Sequence, residues 1–166
     1  MSKILVAYFS ASGVTARLAK TLKEATGGDL HEIKPAKPYS SADLNWNNKQ
    51  SRSSVEMNDK ASRPAIAAFV ENMAQYDAVF VGFAIWWYEA PRIVQTFLES
   101  YDFSGKTVIP FATSGGSGMG KTADILQKSC PAAKVLPGKK LSGSASADEV
   151  SAWVKSLSYR WEDQHG

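Results

Sequence analysis

The sequence predicts an α/β domain of three layers: a doubly wound, five-stranded parallel sheet with helices on both faces. Two observations carry this. A continuous apolar run at 4–9 and largely apolar stretches at 78–83 and 107–112 have the form of parallel strands covered on both faces. Between them, apolar residues recur at helical spacing, and strand–helix alternation builds such a sheet through right-handed crossovers. At 166 residues, 44% hydrophobic and 21% charged, the chain can bury a core of its own. We expect one domain over 1–166.

After the first run, Val14, Leu18, Leu22 and Ala25 mark a helix that Gly27-Gly28 stops. Residues 30–33 form a short second strand. Pro64 suits a first helical turn, and Ile66, Phe69, Val70 and Met73 give that helix one apolar stripe. The third strand is 78–83. Pro91 opens the next helix, with Ile93, Val94, Phe97 and Leu98 inward. The fourth strand, 107–112, contains Pro110, which removes a ladder donor, so a local irregularity is expected there. A helix carrying Ile125 and Leu126 leads to a fifth strand at 134–136. Ser146 and Glu149 are spaced as a capping box for a last helix, with a stripe of Val150, Trp153, Val154, Leu157 and Trp161. Trp153 and Trp161 are expected in the core rather than on a dimer face.

Residues 35–63 break the alternation. They hold Pro35, Pro38, Asn45, Asn47 and Asn48, a serine-rich stretch, and Tyr39, Trp46, Arg52, Glu56 and Arg63. Connections this long are functional loops or surface excursions. One reading is an excursion pinned to the body by its aromatics; the other is a lid over a ligand.

Composition excludes several classes. A net charge of +3 without charge blocks does not describe a nucleic-acid binder. A single cysteine, Cys130, allows no internal disulfide, and His31 and His165 lie too far apart to suggest zinc. The run at 4–9 is too short for a signal-peptide core, and the longest apolar run, 78–88, is too short to cross a bilayer. We expect a cytoplasmic protein without membrane insertion.

In an open α/β sheet, ligands bind outside the carboxyl ends of the strands at the switch point. Three loops should meet there. The first, 10–15, offers Ser10, Ser12, Gly13, Val14 and Thr15 at a helix start. Unpaired N–H groups and the positive dipole end favour a phosphate, and Gly13 permits close backbone approach. With no G-x-G-x-x-G and no lysine, this loop suits one terminal phosphate monoester. The second loop, Ala84, Ile85, Trp86, Trp87, Tyr88 and Glu89, sets three adjacent aromatics before Pro91; at least one should face the ligand edge and stack on a planar ring. The third loop holds Thr113, Ser114, Gly115, Gly116, Ser117 and Gly118, whose backbone can approach a flat ring edge. Gly115, Gly120, Lys121 and Thr122 also match the spacing of a nucleotide-binding P-loop at 115–122. No later apolar strand ending in an aspartate follows to help hold magnesium.

On these loops the chain resembles the flavodoxins, particularly flavodoxin-like FMN proteins with a Trp-Trp ring loop. Ser10, Ser12, Gly13 and Thr15 match the [ST]-x-[ST]-G-x-T phosphate loop in full. The resemblance implies a flavodoxin-like fold with strand order 2-1-3-4-5. It implies FMN as cofactor, with the phosphate on Ser10, Ser12, Gly13, Val14 and Thr15. The ring contacts it implies are Ala84, Ile85, Trp86, Trp87, Ser114, Gly115, Gly116 and Ser117. Where similar proteins read P-I-W-W, this chain has Ala84 in the first place.

With FMN bound, hydride or electrons pass at the flavin and no catalytic side chain is required. Glu89, turned inward, would lower the potential. Two roles fit: NAD(P)H-dependent reduction of quinone-like acceptors, or electron carriage to a redox partner protein. The slightly basic chain favours the reductase, because many carrier flavodoxins are strongly acidic. A cofactor-free binding module needs clustered acids at the same edge, where this chain has serines and tryptophans.

Overall fold

The computed structural model describes residues 3–10, 13–45, 47–86, 88–113 and 119–157. The first apolar run becomes β1 (Ile4–Tyr8), buried along its whole length. Helix α1 (Val14–Thr26) follows, and Gly27 ends it in the left-handed region, its N–H donating to the Lys23 carbonyl. Then come β2 (Asp29–Glu32), α2 (Arg52–Asn58), β3 (Ala78–Ala84), α3 (Arg92–Glu99), β4 (Thr107–Thr113), α4 (Thr122–Ser129), β5 (Lys134–Val135), β6 (Lys139–Lys140) and α5 (Ala147–Ser156).

The strands are parallel in the order β2-β1-β3-β4-β5, as the resemblance implied. Strand alternation sends Val6, Phe80, Ile109 and Phe111 to one face, under Leu18 and Leu22 of α1 and Val150 and Trp153 of α5. Ala7, Val81, Phe83 and Val108 face the other way, under Ile93, Val94 and Phe97 of α3 and Leu126 of α4. Trp153 is a core residue, edge-on to Phe80; Trp161 lies outside the described residues. The Ser146 hydroxyl accepts from the Glu149 N–H and so caps α5 as the spacing predicted.

Pro110 leaves its mark one strand away. Thr107 and Val108 pair with Lys134 and Val135, but Phe111 and Ala112 pair with Lys139 and Lys140. The outer strand therefore carries one extra residue opposite Pro110, a bulge that splits the fifth strand expected at 134–136 into β5 and β6. Gly138 completes it at φ +73°, where a Cβ would lie 2.3 Å from the Pro110 carbonyl oxygen.

The helix expected from Pro64 does not form. Residues 65–67 are not helical and pair with the chain just beyond β2: Ala36 N–H donates to Ala65 O at 2.8 Å, and Ala67 N–H to Lys34 O at 2.8 Å. Ile66 is buried at an antiparallel bridge to Pro35, Phe69 is exposed, and Asn72 takes φ +54° before a single 3-10 turn at Met73–Gln75. The apolar spacing there is helical by coincidence, because non-local pairing satisfies the backbone first. The helix of this crossover is α2, inside the 35–63 excursion.

His31, on β2, stacks against Phe97 with ring centroids 6.1 Å apart, and its buried Nε2 has no hydrogen-bond partner among the described residues. Burial holds its pKa below the ordinary 6.5, with Glu32 opposing and Lys34 adding to the shift. As pH falls below 6.5 the unfolded chain takes up the proton first, so stability present above that pH is lost on acidification toward the folded-state pKa. His31→Leu is expected to flatten the acid-side fall of the thermal midpoint. Parallel curves for the variant and the natural chain would contradict this.

Candidate functional site

The carboxyl ends of β1, β3 and β4 are tied together by bonds between the roots of their loops. Phe9 N–H donates to Gly82 O at 2.9 Å, and Ile85 N–H to Thr113 O at 2.9 Å. The hydroxyls of Thr15, in the first turn of α1, and Thr113, at the end of β4, lie 3.0 Å apart in a buried contact. The loops expected to share a ligand therefore leave the sheet side by side.

In the first loop, Ser10 is half-buried and its Oγ accepts from the Gly13 N–H at 2.9 Å. Gly13 stands at φ +92°, immediately before α1, and among the described residues no side chain caps the helix. The space where its Cβ would stand is open to 4 Å. The opening amides of α1 thus form a positive helix end with no side-chain partner among the described residues. Val14 is exposed, and Gly143 backs it so closely that a Cβ there would meet Val14 Cγ1 at 2.4 Å. Thr15 is buried, its hydroxyl turned to Thr113. Ser12 lies outside the described residues.

In the second loop, Ala84 ends β3, Ile85 is buried and Trp86 is half-buried. Trp86 and Glu89 exchange backbone hydrogen bonds of 2.9 and 3.1 Å, closing a tight turn. Tyr88 occupies it at φ +65°, a strained conformation for a side chain with a Cβ, and projects outward with 62% of its surface exposed. The Glu89 carboxylate is bound at 2.8 Å by Arg92, so it is neutralised rather than turned as a free charge toward the ring site. Trp87 lies outside the described residues, as do Ser114, Gly115, Gly116 and Ser117 of the third loop.

The far end of the third loop is described. Gly120, at φ +56°, approaches the Tyr88 carbonyl so closely that a Cβ would stand 3.0 Å away. Thr122 is fully buried and its hydroxyl donates to the Tyr88 and Met119 carbonyls. In a P-loop that hydroxyl must reach a metal ion; here it braces the neighbouring turn.

The excursion reaches the same edge. Tyr39 packs edge-on against Phe9 (centroids 5.5 Å apart) and Trp86 (5.7 Å), and Phe9 meets Trp86 at 5.9 Å. The Arg52 guanidinium lies 3.7 Å over the Tyr39 ring. The excursion is thus pinned by an aromatic side chain, and pinned at the ring loop itself. The sequence offered Tyr39 as one of the pinning aromatics but left Arg52 and Glu56 without a role, although these two stand at the i, i+4 spacing of a helical ion pair. Cys130 is buried, which pushes its thiol up to about 11 and keeps it neutral. Among the described residues no helix is long and apolar enough to cross a membrane.

The flavodoxin family model matches residues 3–157. A candidate flavoprotein from Bacteroides eggerthii is 53% identical over 96% of this chain and 100% of its own, with a TM-score of 0.88. Another from Bacteroides uniformis is 52% identical over 93% and 99%, with a TM-score of 0.89. A flavoprotein in complex with FMN from Lactobacillus acidophilus shares the fold at 20% identity, over 93% and 99% of the two chains, with a TM-score of 0.67. No curated protein sequence matches the chain.

Proposed function

Because the chain belongs to the flavodoxin family, we propose that it binds FMN among its three carboxyl-edge loops and moves electrons through it. The observation that carries this reading is the start of α1 behind Gly13, uncapped among the described residues, beside the turn that carries Trp86. The residues fit the group. Ser10, Ser12, Gly13, Val14 and Thr15 would hold a phosphate by hydroxyls and amides without a lysine. Ala84, Ile85, Trp86 and Trp87 would flank the ring on one side, and Ser114, Gly115, Gly116 and Ser117 on the other. The bound flavin supplies hydride or electron transfer. The protein's part is to orient the ring, keep water off its covered face and hold the phosphate charge away from the reacting end.

Within this reading the whole chain works as one cytoplasmic domain that takes hydride from NAD(P)H and reduces quinone-like acceptors. The slightly basic net charge of +3 supports it. One observation favours the alternative carrier role: Tyr88 stands exposed beside the ring turn, where a partner protein would dock. Purified protein is expected to be yellow, or to turn yellow with FMN at one per chain. Colourless protein that stays so in excess FMN would sink the proposal. NAD(P)H oxidation with quinones then separates the roles, because a carrier shows no turnover without a reductase protein. Trp87→Ala is expected to weaken FMN binding about tenfold and to shift both reduction potentials.

A further inference from the structure

Arg92 is the bulkiest fully buried side chain among the described residues, only 2% exposed, yet it opens α3, where the helix dipole disfavours a cation. Its guanidinium is held elsewhere. Nη2 donates to the Met57 carbonyl at 2.8 Å and Nε to the Glu56 carbonyl at 3.3 Å, at the C-terminal end of α2, where the Glu56 carbonyl also accepts from the Asp59 N–H. Nη1 donates to Glu89 Oε1 at 2.8 Å and Gln95 Oε1 at 3.2 Å. One buried fork thus joins the excursion to the turn that carries Trp86.

A second route joins the same two places. The Glu56 carboxylate accepts from the Tyr39 hydroxyl at 2.5 Å and from Arg52 Nε at 2.9 Å. Burial and the bond to Glu56 push the Tyr39 phenol far up, so it remains a donor. The Tyr39 ring then meets Trp86. The contacts close a circuit: Trp86, Tyr39, Glu56, the end of α2, Arg92, Glu89, and back to Trp86 through the turn's two hydrogen bonds. Tyr88 at φ +65° is the kind of backbone conformation that persists only where its surroundings over-determine it.

We propose that Arg92, Glu56 and Tyr39 are positioning residues that hold the Trp86–Glu89 turn in its ring-binding geometry, making the excursion a fixed wall of the FMN site rather than a lid that opens. This rests on the FMN reading. None of the three is assigned a part in the chemistry; they act through Trp86. A flexible wall would have to be ordered at each binding event, whereas a held one meets the ring ready-made.

The test uses the full chain and two mild variants, Tyr39→Phe and Glu89→Gln, with Arg92→Lys beside them. Lysine keeps the charge but cannot reproduce the planar fork across separated acceptors, so it should not rescue. In protein free of FMN, hydrogen exchange at the Trp86 and Glu89 amides is expected to accelerate about tenfold in each variant, while β1 amides keep their protection. The FMN dissociation constant is expected to rise severalfold, and the Tyr39→Phe/Glu89→Gln double variant should depart from the product of the single effects, because both act on one turn. Unchanged exchange at both amides with an FMN constant within about twofold of the natural chain's would overturn the proposal. Failure of the natural chain to bind FMN overturns the cofactor reading, while amide exchange still decides whether the circuit holds the turn.

Discussion

Replacing Gly13 with valine is expected to abolish tight FMN binding while leaving most of the fold in place. Gly13 stands at φ +92°, ψ −13°, and nothing lies within 4 Å of where its Cβ would be. The penalty is therefore conformational rather than a clash. A β-branched residue is among the least tolerant of positive φ, at about 1–3 kcal/mol. The chain relieves the strain by rotating this peptide, which breaks the 2.9 Å bond from the Gly13 N–H to Ser10 Oγ and swings the opening amides of α1. Each charge-assisted bond to a phosphate is worth about 1.5–3 kcal/mol, so losing one or two lowers FMN affinity roughly 100-fold. Quenching of FMN fluorescence on titration measures this. A natural constant alongside a lowered thermal midpoint would mean that Gly13 serves the helix start and not the phosphate.

Gly82→Val is expected to destabilise the whole protein by about 3 kcal/mol, at the upper end of the usual cost of overpacking. Gly82 pairs with Tyr8 on one side and Phe111 on the other, and the Phe111 ring lies across it. A Cβ at Gly82 would stand 2.2, 2.4 and 2.8 Å from three ring atoms of Phe111, which is itself wholly buried and has no free direction in which to move. The thermal midpoint should drop by roughly 10 °C, and the denaturant midpoint should fall with little change in slope. Phe111→Leu in a Gly82→Ala background should recover part of the loss, because the smaller side chain vacates the ring's position. A Gly82→Val protein as stable as the natural chain would show that the sheet shifts more readily than its packing implies.

These two glycines illustrate how differently the site and the core could be read in advance. Gly13 was legible because it lies in a local motif: hydroxyls, a glycine and a helix start within a few residues. Gly82 sits in an apolar run that marks a buried strand, but nothing local says that a phenylalanine from the neighbouring strand lies over it. Pro110 falls between the two cases. Its missing N–H announced an irregularity, and the register shift from Lys134–Val135 to Lys139–Lys140 shows that the partner strand absorbed it.

The excursion was the least legible part. Ile66, Phe69, Val70 and Met73 have helical spacing, yet Ile66 is a bridge residue and Phe69 is exposed. The helix forms instead at Arg52–Asn58, where Ser51 caps it by accepting from the Ser54 N–H. No local pattern in the sequence singles out Arg92. Its one warning was its sign, since a cation there is unfavourable unless something else holds it.

The order of strands and helices along the chain, and the three loops that share one edge, were written in short-range pattern, because a buried strand and a one-sided helix each repeat within a few residues. Which backbone groups pair across long stretches of chain, where β5 breaks from β6, and how a buried guanidinium joins α2 to the Trp86 turn were decided only on folding. Those choices depend on partners far away in the sequence, and no local period records them.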